Sequence, residues 1–338
     1  MAEERPRLVI TTDSLPDLPA AAPFMAAPTG DLPSAPPVFA ATGSTNFFGT
    51  TLGMSLIGAL IAILPAWLIG EAVSNAVDGG TNWTFQTAVW TAALGAVFGG
   101  IYSAWPDAMS RVWERAGIAF ALGAIFGGIG GAIAGAAAQK IYENLLGDFP
   151  SNTTFYVARG IAWGVFGLLA GAAIGGAQRV PKKALFGLIG GAVGGAIGGL
   201  IFEALAQATN GDVSDWLLRL IGLFFVFGLM GIAIGLVETG MRQAWVRIVA
   251  GGMTGKEFII YLDATDIGTS PKCQITLIKD PSVHPYHCRI QSNGRVRRVT
   301  AYQGATVTVN GQPVMDHVLR NGDLIGVGQT AIQYADRS

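Results

Sequence analysis

The chain has 338 residues, of which 51% are hydrophobic, 13% charged, and 48 are glycine. Soluble domains carry roughly 25% charged residues and about 7% glycine, which argues against a wholly soluble protein. A net charge of −1 leaves no basic field for nucleic acid, and two cysteines, Cys273 and Cys288, make neither a disulfide framework nor a zinc cluster.

Residues 1–46 hold eight of the sixteen prolines, interleaved with Ala, Asp and Ser. Such a segment buries too little apolar surface to offset its chain entropy and is expected to be a disordered, partly extended tail. No apolar run follows MAEERPRLVI, so the segment reads as a tail and not as a signal peptide.

Between residues 47 and 240 the charges thin out and apolar stretches follow one another. An apolar helix needs about 20 residues to cross roughly 30 Å of hydrocarbon. Six transmembrane helices are expected, at 47–70, 85–105, 117–139, 157–178, 184–204 and 217–237. None shows the polar outer face of a soluble helical bundle. Arg111 and Arg115, then Arg179, Lys182 and Lys183, then Arg242 and Arg247 follow helices two, four and six. The positive-inside rule makes that side cytoplasmic, with both termini inside, as for a multi-pass protein of the plasma (inner) membrane. Trp67, Trp83, Trp90, Trp105, Trp113 and Trp216 sit near the expected helix ends, at the depth of interfacial indoles.

A repeat runs through this region. Residues 125–145 align without a gap to 185–205, with 11 of 21 positions identical, and a weaker copy ends at Glu71. The even helices share Val97-Phe98-Gly99, Val165-Phe166-Gly167 and Val226-Phe227-Gly228. The simplest account is three parallel helical hairpins. Gly123, Gly127, Gly131 and Gly135, like Gly187, Gly191, Gly195 and Gly199, recur every four residues. Such rows lie on one helical face and let backbones approach closely, in the manner of glycine-zipper segments. Glu71, Glu143 and Glu203 match across the repeats and form a candidate acidic triad at the outer edge. Glu143 and Arg159 are sixteen residues apart, as are Glu203 and Arg219; an interfacial ion pair within each hairpin is expected from that spacing.

Charges return near Trp245, and short β-type runs alternate with turn residues. Strands are expected at Arg247–Val249, Glu257–Leu262, Gln274–Ile278, His287–Gln291, Val296–Tyr302, Ala305–Val309 and Thr330–Tyr334, with turns at Gly251-Gly252, Asn293-Gly294, Asn310-Gly311 and Asn321-Gly322-Asp323. This pattern implies an all-β sandwich. Over 245–336 the chain resembles a forkhead-associated (FHA) domain. The likeness rests on Gly255-Lys-Glu-Phe258, Ile267-Gly268, Ile275, Leu277, Asp280-Pro-Ser-Val283, His287-Cys-Arg-Ile290, Val309-Asn310-Gly311, Leu319, Gly322-Asp323, Ile325 and Gly328, in that order.

FHA domains bind phosphothreonine peptides, and the resemblance assigns the binding positions one by one. The family's phosphate-pairing Arg falls on Thr269, its phosphate-bonding Ser on His284, that Ser's Arg neighbour on Pro285, and its peptide-holding Asn-Gly on Ala305-Thr306. Lys272 and Arg289 are candidate replacement donors. Gly268, His287, Asn310, Gly311, Gly322 and Asp323 match structural positions. Losing a charge-assisted Arg contact costs about 1.5–3 kcal/mol, so the pocket is expected to be degraded and partner docking to be phosphate-independent.

No GxSxG, HExxH, P-loop or dinucleotide fingerprint stands in a strand-to-helix context, so no enzyme, metal or cofactor is expected. The sequence thus describes a membrane-anchored scaffold or signalling adaptor presenting an FHA-like domain to a protein or peptide partner at the cytoplasmic face, with a phosphorylated partner as the alternative. The competing class is a channel or transporter regulated by that domain.

Overall fold

A computed structural model of the chain describes residues 46–146, 151–209, 211–277, 280–294 and 296–337. The proline-rich tail expected at 1–46 lies, apart from Asn46, outside the described residues.

Among those residues six helices are long and apolar enough to cross a membrane: α1 Thr51–Val77, α2 Trp83–Met109, α3 Trp113–Leu146, α4 Asn152–Ala177, α5 Pro181–Thr209 and α6 Asp215–Met241. Most overrun their expected spans, but α1 starts at Thr51, after a short 3-10 turn at Phe47–Gly49, and α4 stops at Ala177, one residue short; side chains cap the starts of α1, α2 and α4. Thr50 accepts from Gly53 N at 3.1 Å, Asn82 from Phe85 N at 3.0 Å and Ser151 from Thr154 N at 3.2 Å, each satisfying an otherwise orphaned donor of the first turn. The overrun draws Glu238 into the bundle, where it is buried.

Three-residue connections join α2 to α3 and α4 to α5. Each places an arginine in the left-handed region, Arg111 at φ 57° and Arg179 at φ 56°. So short a turn holds the two helices of a pair together, and glycine makes the contact possible. A methyl on Gly95, Gly99, Gly123 or Gly127 would overlap a carbonyl of the facing glycine between α2 and α3. The same holds for Gly167, Gly171, Gly187 and Gly191 between α4 and α5. The glycine rows therefore join successive hairpins of the expected repeat. The second α5 row, Gly190, Gly194 and Gly198, meets the α6 backbone at Ile234, Leu229–Met230 and Val226. Helix α6 packs in turn on α1, where Gly231 faces Ala59 and Ser55.

The three Val-Phe-Gly phenylalanines meet inside. Phe98 and Phe227 pack tilted with ring centroids 4.4 Å apart, Phe166 and Phe227 stack at 6.3 Å, and all three are buried. Leu94, Trp163, Ile174, Phe202, Met230 and Ile234 fill the space around them.

The ion pairs differ from the expectation. Arg159 on α4 reaches Glu203 on α5 at 3.1 Å, and Arg219 on α6 grips Glu71 on α1 with bonds of 2.6 and 2.8 Å. Glu143 instead bonds Lys140 at 2.8 Å. The pairs thus run between hairpins, because the arginine of one faces the acid of the next helix in space. Each of the three matched glutamates has its own partner.

Only Arg242 and Gln243 separate α6 from the first strand. Two sheets follow, built from β1 Ala244–Ala250, β2 Glu257–Ile259, β3 Ala264–Gly268, β4 Ile275–Thr276, β5 Cys288–Asn293, β6 Val296–Ala301, β7 Val307–Val309, β8 Gln312–Val314, β9 Asp316–Val318, β10 Leu324–Val327 and β11 Thr330–Asp336. Their orders are β2-β1-β11-β10-β7-β8 and β4-β3-β5-β6-β9. Alternate residues turn inward, as the two-residue period of a strand requires. Val246 and Ile248 of β1, Ile267, Ile290, Val299, Ile325 and Ile332 close a core around the buried ring of Tyr334.

Candidate peptide-binding site

The candidate residues sit at one end of the sandwich, in loops that leave β3 and surround β5 and β7. Gly268 closes β3, and a methyl there would overlap the Pro285 carbonyl. That close approach lets Thr269 N donate to His284 O and Ser270 N to Pro285 O, both at 3.0 Å. The two loops are therefore pinned backbone to backbone.

His287 ties them to a third. Its Nδ1 accepts from His284 N at 3.2 Å, and its Nε2 lies 2.9 Å from Thr306 O. Burial lowers the His287 pKa below the ordinary 6.5, against a raising effect of the Thr306 bond. Both ring nitrogens serve the backbone, so this histidine holds loops in place. Asn310, at φ 52°, and Gly311, at φ 81°, turn β7 into β8. The Asn310 amide donates to Asp323 at 2.9 Å and accepts from Leu324 N at 2.9 Å. Asp323 also accepts from Arg320 N at 2.7 Å, directly after Gly322 at φ 94°. These matched structural positions thus form a loop-holding network.

The binding positions divide. Thr269, His284, His287 and Thr306 come together, with His284 and Thr306 exposed. Ala305 is buried and offers no polar side chain to a peptide. Arg289 is already committed, donating to Asp266 at 2.7 and 3.1 Å, with Tyr302 Oη donating to the same carboxylate at 2.8 Å. The Arg289 bonds, opposed by burial, hold the Asp266 carboxyl below its usual range. Lys272 remains exposed, on a loop turned toward the helical bundle. Arg115 of α3 reaches that loop, donating to Cys273 O at 2.6 Å.

Sequence reasoning missed Asp266, and it counted Asp280 toward the FHA likeness without giving it a role. Asp280 accepts from Gln329 N at 2.7 Å, Thr330 Oγ1 at 2.9 Å and Ser282 N at 3.1 Å, stapling its loop to the β10–β11 turn. Its place in Asp-Pro-Ser was the available signal, since a short acid before Pro-Ser reads as an Asx turn. Both cysteines are buried, and burial pushes Cys273 up to about 11 and Cys288 up to about 12. Such thiols are poor nucleophiles at neutral pH.

Residues 247–337 match the family model described as the inner membrane component of T3SS, cytoplasmic domain (Yop-YscD). No curated protein matches the chain. Solved structures that resemble it include an FHA domain from work on phosphothreonine-dependent FHA domain interactions, at 24% identity, TM-score 0.27, covering 28% of this chain and 98% of that one. The FHA domain of the CT664 protein from Chlamydia trachomatis is 20% identical, TM-score 0.27, covering 28% and 99%. The cytoplasmic domain of the T3SS sorting platform protein PscD from P. aeruginosa is 19% identical, TM-score 0.26, covering 28% and 83%. Residues 247–337, the β sandwich that follows the six apolar helices, form an FHA-like domain similar to the Yop-YscD cytoplasmic-domain family.

Proposed function

We propose that this chain is an inner-membrane scaffold whose helical bundle fixes an FHA-like domain at the cytoplasmic face, where it docks a protein partner without requiring phosphothreonine. The observation that carries the reading is the state of the binding loops. Thr269 stands where the family's phosphate-pairing arginine would be, Arg289 is held by Asp266, and Ala305 is buried. Exposed Lys272 and His284 remain as donors, which is thin provision for a dianionic phosphate.

The rest of the molecule supports anchoring. Two residues between α6 and β1 span at most about 7 Å, so the domain stays against the membrane and its effective concentration toward partners there is high. The buried phenylalanines of α2, α4 and α6 pack the interior of the bundle where a polar path would have to run. The matched family, an inner membrane component with a cytoplasmic domain, supports the same placement.

The test uses the full chain in lipid nanodiscs, screened against peptides that carry either threonine or phosphothreonine. Binding that differs less than about threefold between the two forms is expected. A phosphothreonine-dependent dissociation constant below about 10 μM, roughly −7 kcal/mol, would overturn the reading.

A further inference from the structure

The β domain faces the bundle end that carries the start of α1, the α2–α3 and α4–α5 turns and the end of α6. A chamber of about 790 Å³ lies between them, a size that suits a small molecule or headgroup. Its wall has two chemically different halves.

One half is cationic. Arg115 pairs with Asp107 at 2.8 Å, and Lys183 and Lys256 lie within Coulombic range of the same carboxylate. Asp107 thus faces three cations, of which Lys183 also pairs with Glu238 at 3.8 Å. Glu257, also in the wall, is already held by Arg242 at 2.9 Å and by Arg247 at 3.0 Å. Lys256 donates to Pro106 O at 3.2 Å and to Ser110 Oγ. Burial pulls its pKa down to about 8, so its charged form gains from an added anion.

The other half is a floor of buried polar atoms that lack a hydrogen bond. Tyr102 and Glu238 are 5% and 3% exposed, and the Tyr102 hydroxyl and Glu238 Oε1 have no hydrogen-bond partner. The nearest cation to Glu238 is Lys183, at 3.8 Å. Buried polar groups left unbonded are rare and costly, and both of these line the chamber.

We propose that the chamber binds a phosphate ester whose alcohol portion carries a hydroxyl or ammonium group. The phosphate sits among Arg115, Lys183 and Lys256, and the alcohol portion bonds Tyr102 and Glu238. A phospholipid headgroup and a free phosphate ester share this chemistry. Thr269, His284, His287 and Thr306 are not part of the wall, but Ser270 and Lys272 of the loop after β3 are, so the chamber adjoins the peptide-binding loops and shares that one segment with them.

The test uses delipidated full chain in detergent, titrated with glycerol 3-phosphate and phosphoethanolamine, and in parallel with phosphatidylglycerol and phosphatidylethanolamine added to the micelles. Binding of at least one ester is expected, read by native mass spectrometry and a raised melting temperature. Response to the soluble esters assigns a free metabolite; response to the lipids alone assigns a headgroup. The double variant Lys183→Gln, Lys256→Gln should weaken binding at least about tenfold, the loss of one charge-assisted bond. Tyr102→Phe keeps the ring, 5.4 Å from Phe98, and should weaken it severalfold without disturbing the fold. Glu143→Gln should change nothing. Failure of all four esters to bind, or undiminished binding in Tyr102→Phe and the folded double variant, overturns the proposal.

Discussion

The helical bundle and the β sandwich bury comparable cores by opposite means. In the bundle, missing side chains allow contact: glycine backbones of α2 and α3, and of α4 and α5, rest on one another. In the sandwich, side chains are the contact, with Ile248, Ile267, Ile290, Val299, Ile325 and Ile332 interlocked between two sheets. Lipid supplies no hydrophobic drive between helices, so dispersion at close range must hold them. Water supplies that drive to the sandwich. The bundle is accordingly vulnerable to added atoms and the sandwich to removed ones.

The sharpest way to break this contrast is to add atoms where backbones touch. Gly191→Val would drive its side chain into the Gly167 carbonyl and is expected to cost about 3 kcal/mol or more, seen as a large drop in the melting temperature of the full chain in detergent. Gly176→Ala, with nothing within 4 Å of the new methyl, should leave that temperature unchanged. Equal effects of the two would remove the packing account.

Removing atoms tests the other half. Ile290→Ala in the sandwich core should cost about 2–5 kcal/mol and lower the denaturant midpoint of the β domain while the bundle holds. A smaller effect is expected from the interhelical ion pairs. Arg219 and Glu71 are both partly exposed, so solvent screening limits Arg219→Gln to about 1 kcal/mol. The same change at Lys140, whose pair with Glu143 joins neighbouring turns of one helix, should have no measurable effect.

The mildest prediction concerns pH. Burial depresses His287 below the ordinary 6.5, so the unfolded chain takes up a proton at a pH where the folded chain does not. Stability should therefore fall as pH drops from about 6.5 through the folded value. His287→Gln should lower stability at pH 7.5 and flatten that part of the pH profile. An unchanged slope would assign the dependence to other groups.

What the sequence made legible followed from local physics. Helix existence came from length and apolarity, while Gly268, His287 and Asn310 were marked as structural positions only by the resemblance to FHA domains. Four strands escaped because nothing local marks them. β3 is Ala-Thr-Asp-Ile-Gly, β8 contains Pro313, β9 is a polar edge, and Gly326 interrupts β10. Ion-pair partners were misassigned because sixteen-residue spacing cannot tell which helix lies beside which. Arg289 was a candidate phosphate donor only until strand register set it opposite Asp266. The chamber residues Tyr102, Lys183, Glu238 and Lys256 lie on separate elements, and only the apposition of bundle and sandwich makes them one site.

The division of labour between an inert anchor and a docking domain is tested most directly by ion flux through vesicles containing the full chain. The packed interior around Phe98, Phe166 and Phe227 predicts that they hold an ion or proton gradient as long as protein-free vesicles do. A flux that requires the protein, and that disappears when Glu71, Glu143 and Glu203 are all changed to Gln, would contradict the account and make the bundle the functional part.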